Sequence, residues 1–253
     1  MYWGFIMHAN RIELEGVLNA RDLSSIKNKD GFYIKKNKLI RSDRLCDATY
    51  QDMKKLYDEY NLRTIVDFRD IDEFIEDPDA RYDGIEYVHD QVIGEGINAV
   101  KYDKESIRKT QEIMNKFPGD ASEKYLCEFY IYAAMDEYPI NSYHRFIKEL
   151  VNNEDCILWH CSLGKDRCGL AALMIEYILD VDMETIKEDY MYTNTCLEPL
   201  FEITDIHHRA RLEYLDAFFN SVNFKFGSFD KYLENLGVTP EVKQLLKDKY
   251  LEK

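Results

Sequence analysis

Apolar residues along this chain change period repeatedly, and the changes mark out its elements. Met53, Leu56, Tyr57 and Tyr60 recur at helical spacing and predict a helix over residues 48–60. Ile140, Tyr143, Phe146, Ile147 and Leu150 predict an amphipathic helix over 141–151 in the same way. Leu170 to Leu179 is apolar nearly all round, which predicts a central buried helix. Between these lie short runs. Thr64-Ile65-Val66-Asp67-Phe68 and Cys156-Ile157-Leu158-Trp159 read as buried strands, and Gly84 to His89 alternates like another. Strands alternating with helices predict an α/β fold with a central, largely parallel sheet of about four or five strands flanked by helices.

Residues 10–45 hold no long helical period. Asn28-Lys29-Asp30-Gly31 is a turn signal, with Phe32-Tyr33-Ile34 and Lys38 to Arg41 as short strands around it. A helix over about 104–116, a break at Phe117-Pro118-Gly119-Asp120 and a helix over 122–135 form a helical insertion spanning about 93–135. The C-terminal part reads as helices over 183–192, 211–220, 229–236 and 239–251, the last opening on Thr239 as N-cap and Pro240 in its first turn. With no repeat, linker or low-complexity tract, residues 1–253 read as a single domain.

Candidate chemistry concentrates in Trp159 to Gly169, WHCSLGKDRCG, where a strand should pass through a Gly-containing loop into the apolar helix. A helix N-terminus leaves N–H groups unpaired and carries partial positive charge, so such a loop suits an anion. Cys161 lies in it, followed after five residues by Arg167. A cysteine near a helix N-terminus and a cation is an activated nucleophile, and an arginine forks two N–H bonds onto phosphate oxygens. Nucleophile, positioning and charge stabilisation together suit phosphoryl transfer. A nucleotide-binding loop is excluded, because Ser162-Leu163-Gly164-Lys165-Asp166 lacks its first glycine and its hydroxyl.

His160-Cys161-(five residues)-Arg167 resembles the signature loop of cysteine-dependent protein tyrosine phosphatases. Gly164-Lys165-Asp166-Arg167 narrows the resemblance to the bacterial and fungal GKDR branch, whose secreted members are called triple-specificity phosphatases. Asn19-Ala20-Arg21-Asp22-Leu23, Arg41-Ser42, Asp67-Phe68-Arg69 with Glu73 and Pro78-Asp79, Glu188-Asp189-Tyr190 and the segment from Gly227 resemble further family elements. The resemblance implies a protein tyrosine phosphatase-like fold and hydrolysis through a cysteinyl-phosphate. Cys161 would be the nucleophile, with Arg167 and the N–H groups of residues 162–167 holding the phosphate and His160 orienting the loop. Ser162, Leu163, Gly164 and Lys165 would line the substrate, Lys165 as charge at the rim linked to phosphoinositide tolerance. Asp67 and Arg69 should share that edge of the sheet with Cys161 and join the substrate-binding residues. Asp166 is the first candidate for the general acid, and Asp67 and Asp70 follow. Asp189 is expected to brace the loop arginine or histidine. Relatives place a helical lid over the site from the zone of the insertion. Cys168 stands where the family has a serine or threonine, and a thiol is a weaker donor to the nucleophilic sulfur.

Composition, charge and cysteine usage sharpen this. Hydrophobic residues at 45% and charged residues at 32% describe a soluble globular chain. A net charge of −15 argues against nucleic acid as partner, and no run is long enough for a membrane helix. The N-terminal MYWGFIMHANR is not a signal peptide by pattern. Six cysteines without metal or disulfide spacing suit a reducing cytoplasm. No cofactor or metal is called for: His207 and His208 are adjacent and point to different faces, His89 and the Arg21/Asp22 pair read first as packing or bracing groups, and Arg69 with Glu73 reads equally as a loop-bracing pair or as part of the site. The expected partner is a phosphorylated protein or a phosphoinositide, and oligomeric state is left open. Two further classes are a catalytically silent phospho-ligand module on the same fold and a sulfur-transfer or arsenate-reducing enzyme.

Overall fold

The computed structural model describes residues 10–94, 104–203 and 209–253, so the N-terminal run before Asn10, part of the insertion, and His207 with His208 lie outside the described residues. In chain order the strands are β1 (Asn10–Arg11), β2 (Arg21–Asp22), β3 (Tyr33–Ile34), β4 (Leu39–Ser42), β5 (Leu62–Asp67), β6 (Glu86–His89), β7 (Cys156–His160) and β8 (Leu251–Glu252). The helices are α1 (Tyr50–Glu59), α2 (Ile71–Glu76), α3 (Lys104–Lys116), α4 (Ala121–Met135), α5 (Glu137–Asn152), α6 (Asp166–Ile178), α7 (Met183–Cys196), α8 (Glu198–Ile203), α9 (Leu212–Phe226), α10 (Phe229–Asn235) and α11 (Pro240–Tyr250).

A six-stranded sheet in the order β1-β2-β4-β7-β5-β6 organises these elements. From β4 to β6 the pairs are parallel, and β1 and β2 add an antiparallel edge. Every residue of β4 and β7 is buried, as a parallel sheet covered on both faces requires. Side chains alternate between the faces: Ile157 and Trp159 enter the larger core with α4, α5, α6 and α9, while Cys156 and Leu158 enter the smaller core under α1. The parallel register sets Asp67 beside His160, so β5 and β7 end at the same level.

Helix ends follow their sequence signals. Thr49 with Asp52, Asp70 with Glu73, and Asp120 with Glu123 form capping boxes. Thr239 caps α11 ahead of Pro240, and Gly227 at φ +87° closes α9.

Differences from the expected elements have local causes. The sheet has six strands, because β1 and β2 are two-residue strands too short to show a period. Tyr33–Ile34 pairs with Leu251–Glu252 at the far end of the chain, not with residues 38–41, although the turn at 28–31 is present with Gly31 at φ +88°. α5 starts at Glu137, ahead of the apolar period, because Asp136 caps it and Pro139 is tolerated in the first turn. α2 is hidden because it buries none of its residues.

Candidate active site

Residues 161–165 cross from β7 to α6, and Cys161 lies at their start, 2% exposed. External donors hold three successive carbonyls of this loop. The Arg44 N–H donates to Ser162 O at 3.2 Å, Asn19 Nδ2 to Leu163 O at 2.9 Å and Arg41 Nη2 to Gly164 O at 2.8 Å. In a trans peptide the N–H points opposite to the carbonyl, so turning these carbonyls outward turns the following N–H groups into the loop. Gly164 has φ +65°, and a Cβ there would meet Ser42 O at 2.3 Å, so only glycine fits. Lys165 makes no side-chain cap to α6, which leaves the first N–H groups of that helix open to an anion.

Arg167 reaches over the loop from the first turn of α6. Its Nη1 donates to Glu73 Oε2 at 2.6 Å, and its Nη2 to Glu73 Oε1 at 3.3 Å and Ser162 Oγ at 2.6 Å. Ser162 Oγ also donates to Glu73 Oε1. Burial opposes the charge of Glu73, but Arg167 and Ser162 outweigh it and hold the carboxyl at about 2. The expected Arg69–Glu73 brace is therefore replaced by Arg167–Glu73. Sequence spacing hid this, since α2 folds back to present Glu73 to a residue distant in the chain.

Asp166 lies at the lip, where Tyr130 Oη donates to its Oδ1 at 2.7 Å. Tyr130 comes from α4, so the insertion does reach the loop, as packing: Tyr130 is fully buried and its ring stacks on Tyr214 at 5.2 Å. Lys165 is buried rather than at the rim, with Nζ 3.5 Å from Asp166 Oδ2. Asp70 caps α2 and faces the same region. Its pKa is raised, by burial first and then by the neighbouring Glu73 charge.

Beneath the loop, Asp67, Asp79, Arg69 and His160 form a buried quartet of two acids and two bases. Arg69 Nη2 donates at 2.8 Å to both Asp67 Oδ2 and Asp79 Oδ1, and His160 Nε2 lies 2.8 Å from Asp79 Oδ2. His160 Nδ1 is 3.3 Å from Cys161 O, which ties the imidazole to the loop. Burial works against a charged His160, but Asp79 more than offsets it and its pKa is raised. Asp67, Asp79 and His160 are close enough together to ligate a metal. Arg69 and His160 already occupy those carboxylates, so the donor set is filled by the protein's own cations. Asp67 and Arg69 thus share the sheet edge with Cys161, but they spend their side-chain polar atoms on each other, on Asp79 and on Asp77 O rather than presenting them to a substrate. His89 is packed, as its sequence setting suggested: it stacks on Phe74 at 4.2 Å.

Two other expectations change. Cys168 directs its thiol to Trp159 O at 3.3 Å and Ser42 O at 3.7 Å, and burial pushes its pKa up to about 12. Asp189 binds neither Arg167 nor His160 but Arg21 and Arg41, at 2.9 and 2.6 Å. Arg21 and Asp22 accordingly part company, Asp22 capping a 3-10 turn at Leu23–Ser25. Asn19 and Arg41 stand in motifs that the sequence singled out, but their partners in the loop, like that of Tyr130, come from other elements and had no signal in the sequence.

Residues 12–252 match the model of the tyrosine phosphatase family, and the chain belongs to that family. It is thus a hydrolase of the protein tyrosine phosphatase class, acting on phosphorylated substrates. A Cupriavidus necator protein bearing the name "Putative tyrosine-protein phosphatase" is 24% identical over 247 residues, covering 88% of this chain and 83% of its own. Two crystal structures of Pseudomonas aeruginosa TpbA, one a cysteine-to-serine variant in complex with pTyr, align at TM-scores of 0.40 and 0.33. Their identities are 11% and 12%, over 94% and 96% of this chain and 100% and 97% of theirs. Likeness at that level carries no argument about the site.

Proposed function

We propose that this chain, as one domain of the GKDR branch, hydrolyses phosphate monoesters through a cysteinyl-phosphate on Cys161. The observation that carries the reading is Cys161 at the floor of a loop whose carbonyls are tied outward, with Arg167 above it. The Cys161 sulfur attacks phosphorus, the bond from phosphorus to the leaving oxygen breaks, and that oxygen takes a proton from an acid. Water then attacks the phosphorus, the phosphorus–sulfur bond breaks, and the acid recovers its proton as phosphate leaves. Inward N–H groups and Arg167 stabilise the equatorial oxygens throughout. His160 lies next to Cys161, and its contact with Asp79 favours the charged imidazole there.

Asp166 at the lip is the acid in this scheme. A second reading is carried by Asp70, whose raised pKa and position at the start of α2 suit a proton donor. Asp67 is poorly placed for the task, since Arg69 occupies its oxygens from three nitrogens. An aryl phosphate such as phosphotyrosine is the substrate class proposed. Phosphoinositide activity and dual specificity have less support, because the Lys165 ammonium is buried beside Asp166. A reducing cytoplasm is the compartment proposed, since all six cysteines are free. Among the described residues, no helix is long and apolar enough to cross a membrane.

Cys161→Ser should abolish release of phosphate from para-nitrophenyl phosphate while retaining phosphate binding, and acid quenching of the wild type should trap phosphate on Cys161. Turnover by Cys161→Ser would sink the mechanism. With aryl phosphates of graded leaving groups, Asp166→Asn should lose most activity on the poorest; a larger loss in Asp70→Asn would move the role there.

A further inference from the structure

We infer that Asp189 is a positioning residue for the reaction, acting through two arginines on two carbonyls of the phosphate-binding loop. The inference rests on the reading of that loop as the substrate site. Arg21 and Arg41 lie directly opposite each other across the antiparallel β2–β4 pair. Like charges in that register repel, and both side chains are buried, so a carboxylate between them is needed for the pair to exist. Asp189, on α7, supplies it. Its Oδ1 accepts from Arg21 Nε at 2.9 Å, and its Oδ2 from Arg41 Nη1 at 2.6 Å. Its own carbonyl accepts from Arg21 Nη2 at 3.1 Å, and Thr193 Oγ1 accepts from the same nitrogen at 3.0 Å.

Each arginine then passes its fixed position to the loop. Arg41 does so directly, Nη2 donating to Gly164 O at 2.8 Å. Arg21 does so through Asn19. Its Nη1 donates to Asn19 Oδ1 at 2.5 Å, which selects one of the two orientations of that amide. The selected orientation aims Nδ2 at Leu163 O, 2.9 Å away. A continuous chain of hydrogen bonds therefore runs from Leu163 through Asn19, Arg21, Asp189 and Arg41 back to Gly164. Both ends fix a carbonyl whose outward direction sets the next N–H inward, at Gly164 and at Lys165. A carboxylate far from the phosphate in sequence thus helps decide how many donors the phosphate meets. A cluster that only stabilised the core would not need to end on loop carbonyls at both sides.

The test uses the full chain with Asp189→Asn, Asp189→Glu, Asn19→Ala and Arg41→Lys. Four quantities are read: kcat and KM for para-nitrophenyl phosphate, the vanadate inhibition constant, the pH profile of Cys161 alkylation by iodoacetate, and the thermal midpoint. Asp189→Asn should weaken vanadate inhibition at least tenfold and move the alkylation midpoint upward, with Asp189→Glu recovering part of both. Asn19→Ala and Arg41→Lys should each do the same to a smaller degree. Adding Asn19→Ala to Asp189→Asn should cost less than Asn19→Ala alone, because both break one chain. Should Asp189→Asn fail to fold, the two single-donor variants and their double mutant decide. Folded variants with wild-type vanadate inhibition and alkylation profiles, or with fully additive losses, would overturn the proposal. A wild type that turns over no aryl phosphate would count against the proposed activity instead. Binding of inorganic phosphate to wild type and variants would still read the loop geometry in that event.

Discussion

Arg167 holds Glu73 with both terminal nitrogens, the same fork that the proposed mechanism offers to a phosphate. With its carboxyl at about 2, Glu73 is ionised at any working pH, so acid does not free Arg167 until the pH approaches that value. A carboxylate beside an arriving dianion is both competitor and repellent. Glu73→Gln should therefore tighten vanadate inhibition, by about tenfold if one charged hydrogen bond worth about 1.5 kcal/mol ceases to compete. Inhibition weakened by that change would show that Glu73 holds Arg167 in place rather than contesting it. This pairing was not legible in the sequence. Arg69 sits four residues from Glu73 and was one candidate partner, yet Arg69 turns beneath the loop to Asp67 and Asp79.

At the scale of elements, β7 and α6 were readable because an all-buried strand and an all-round apolar helix are unambiguous patterns. α6 conceals one exception to its pattern. Glu176 is 1% exposed inside that helix, with Asp189, Arg41 and Arg21 near enough to act on its charge. Burial, reinforced by the Asp189 charge, raises its pKa well above the ordinary carboxylate range, so the folded protein keeps it protonated. The unfolded chain releases that proton above about pH 4.3. Between there and its folded pKa the native state binds more protons than the unfolded one, and stability falls as pH rises. Glu176→Gln removes the titration, so its thermal midpoint should gain on the wild type as the pH is raised from 5 toward 8. A constant difference across that range would mean that Glu176 is ionised in the fold. α2 stood outside what patterning reveals, being a capped turn that buries nothing yet carries the partner of Arg167.

At the scale of the molecule, a net charge of −15 surrounds a site that collects arginines. Self-repulsion of that size destabilises the compact state and is screened by salt. Raising ionic strength from about 0.01 to 0.15 M shortens the Debye length from about 30 to 8 Å, so the thermal midpoint at neutral pH should rise. An unchanged midpoint would mean that local ion pairs already balance the charge.

The sequence by itself determined the α/β class, most helices and the loop between Trp159 and Gly169, because hydrophobic period, capping residues and loop spacing are local properties. It also carried the family, through short motifs along most of the chain. Tertiary structure alone decided which charges meet: Glu73 with Arg167, His160 with Asp79, Asp189 with Arg21 and Arg41. The reason is physical. A buried ion finds whichever partner the packed sheet and helices bring within reach, and that distance is set by β-strand register and helix packing, not by separation along the chain.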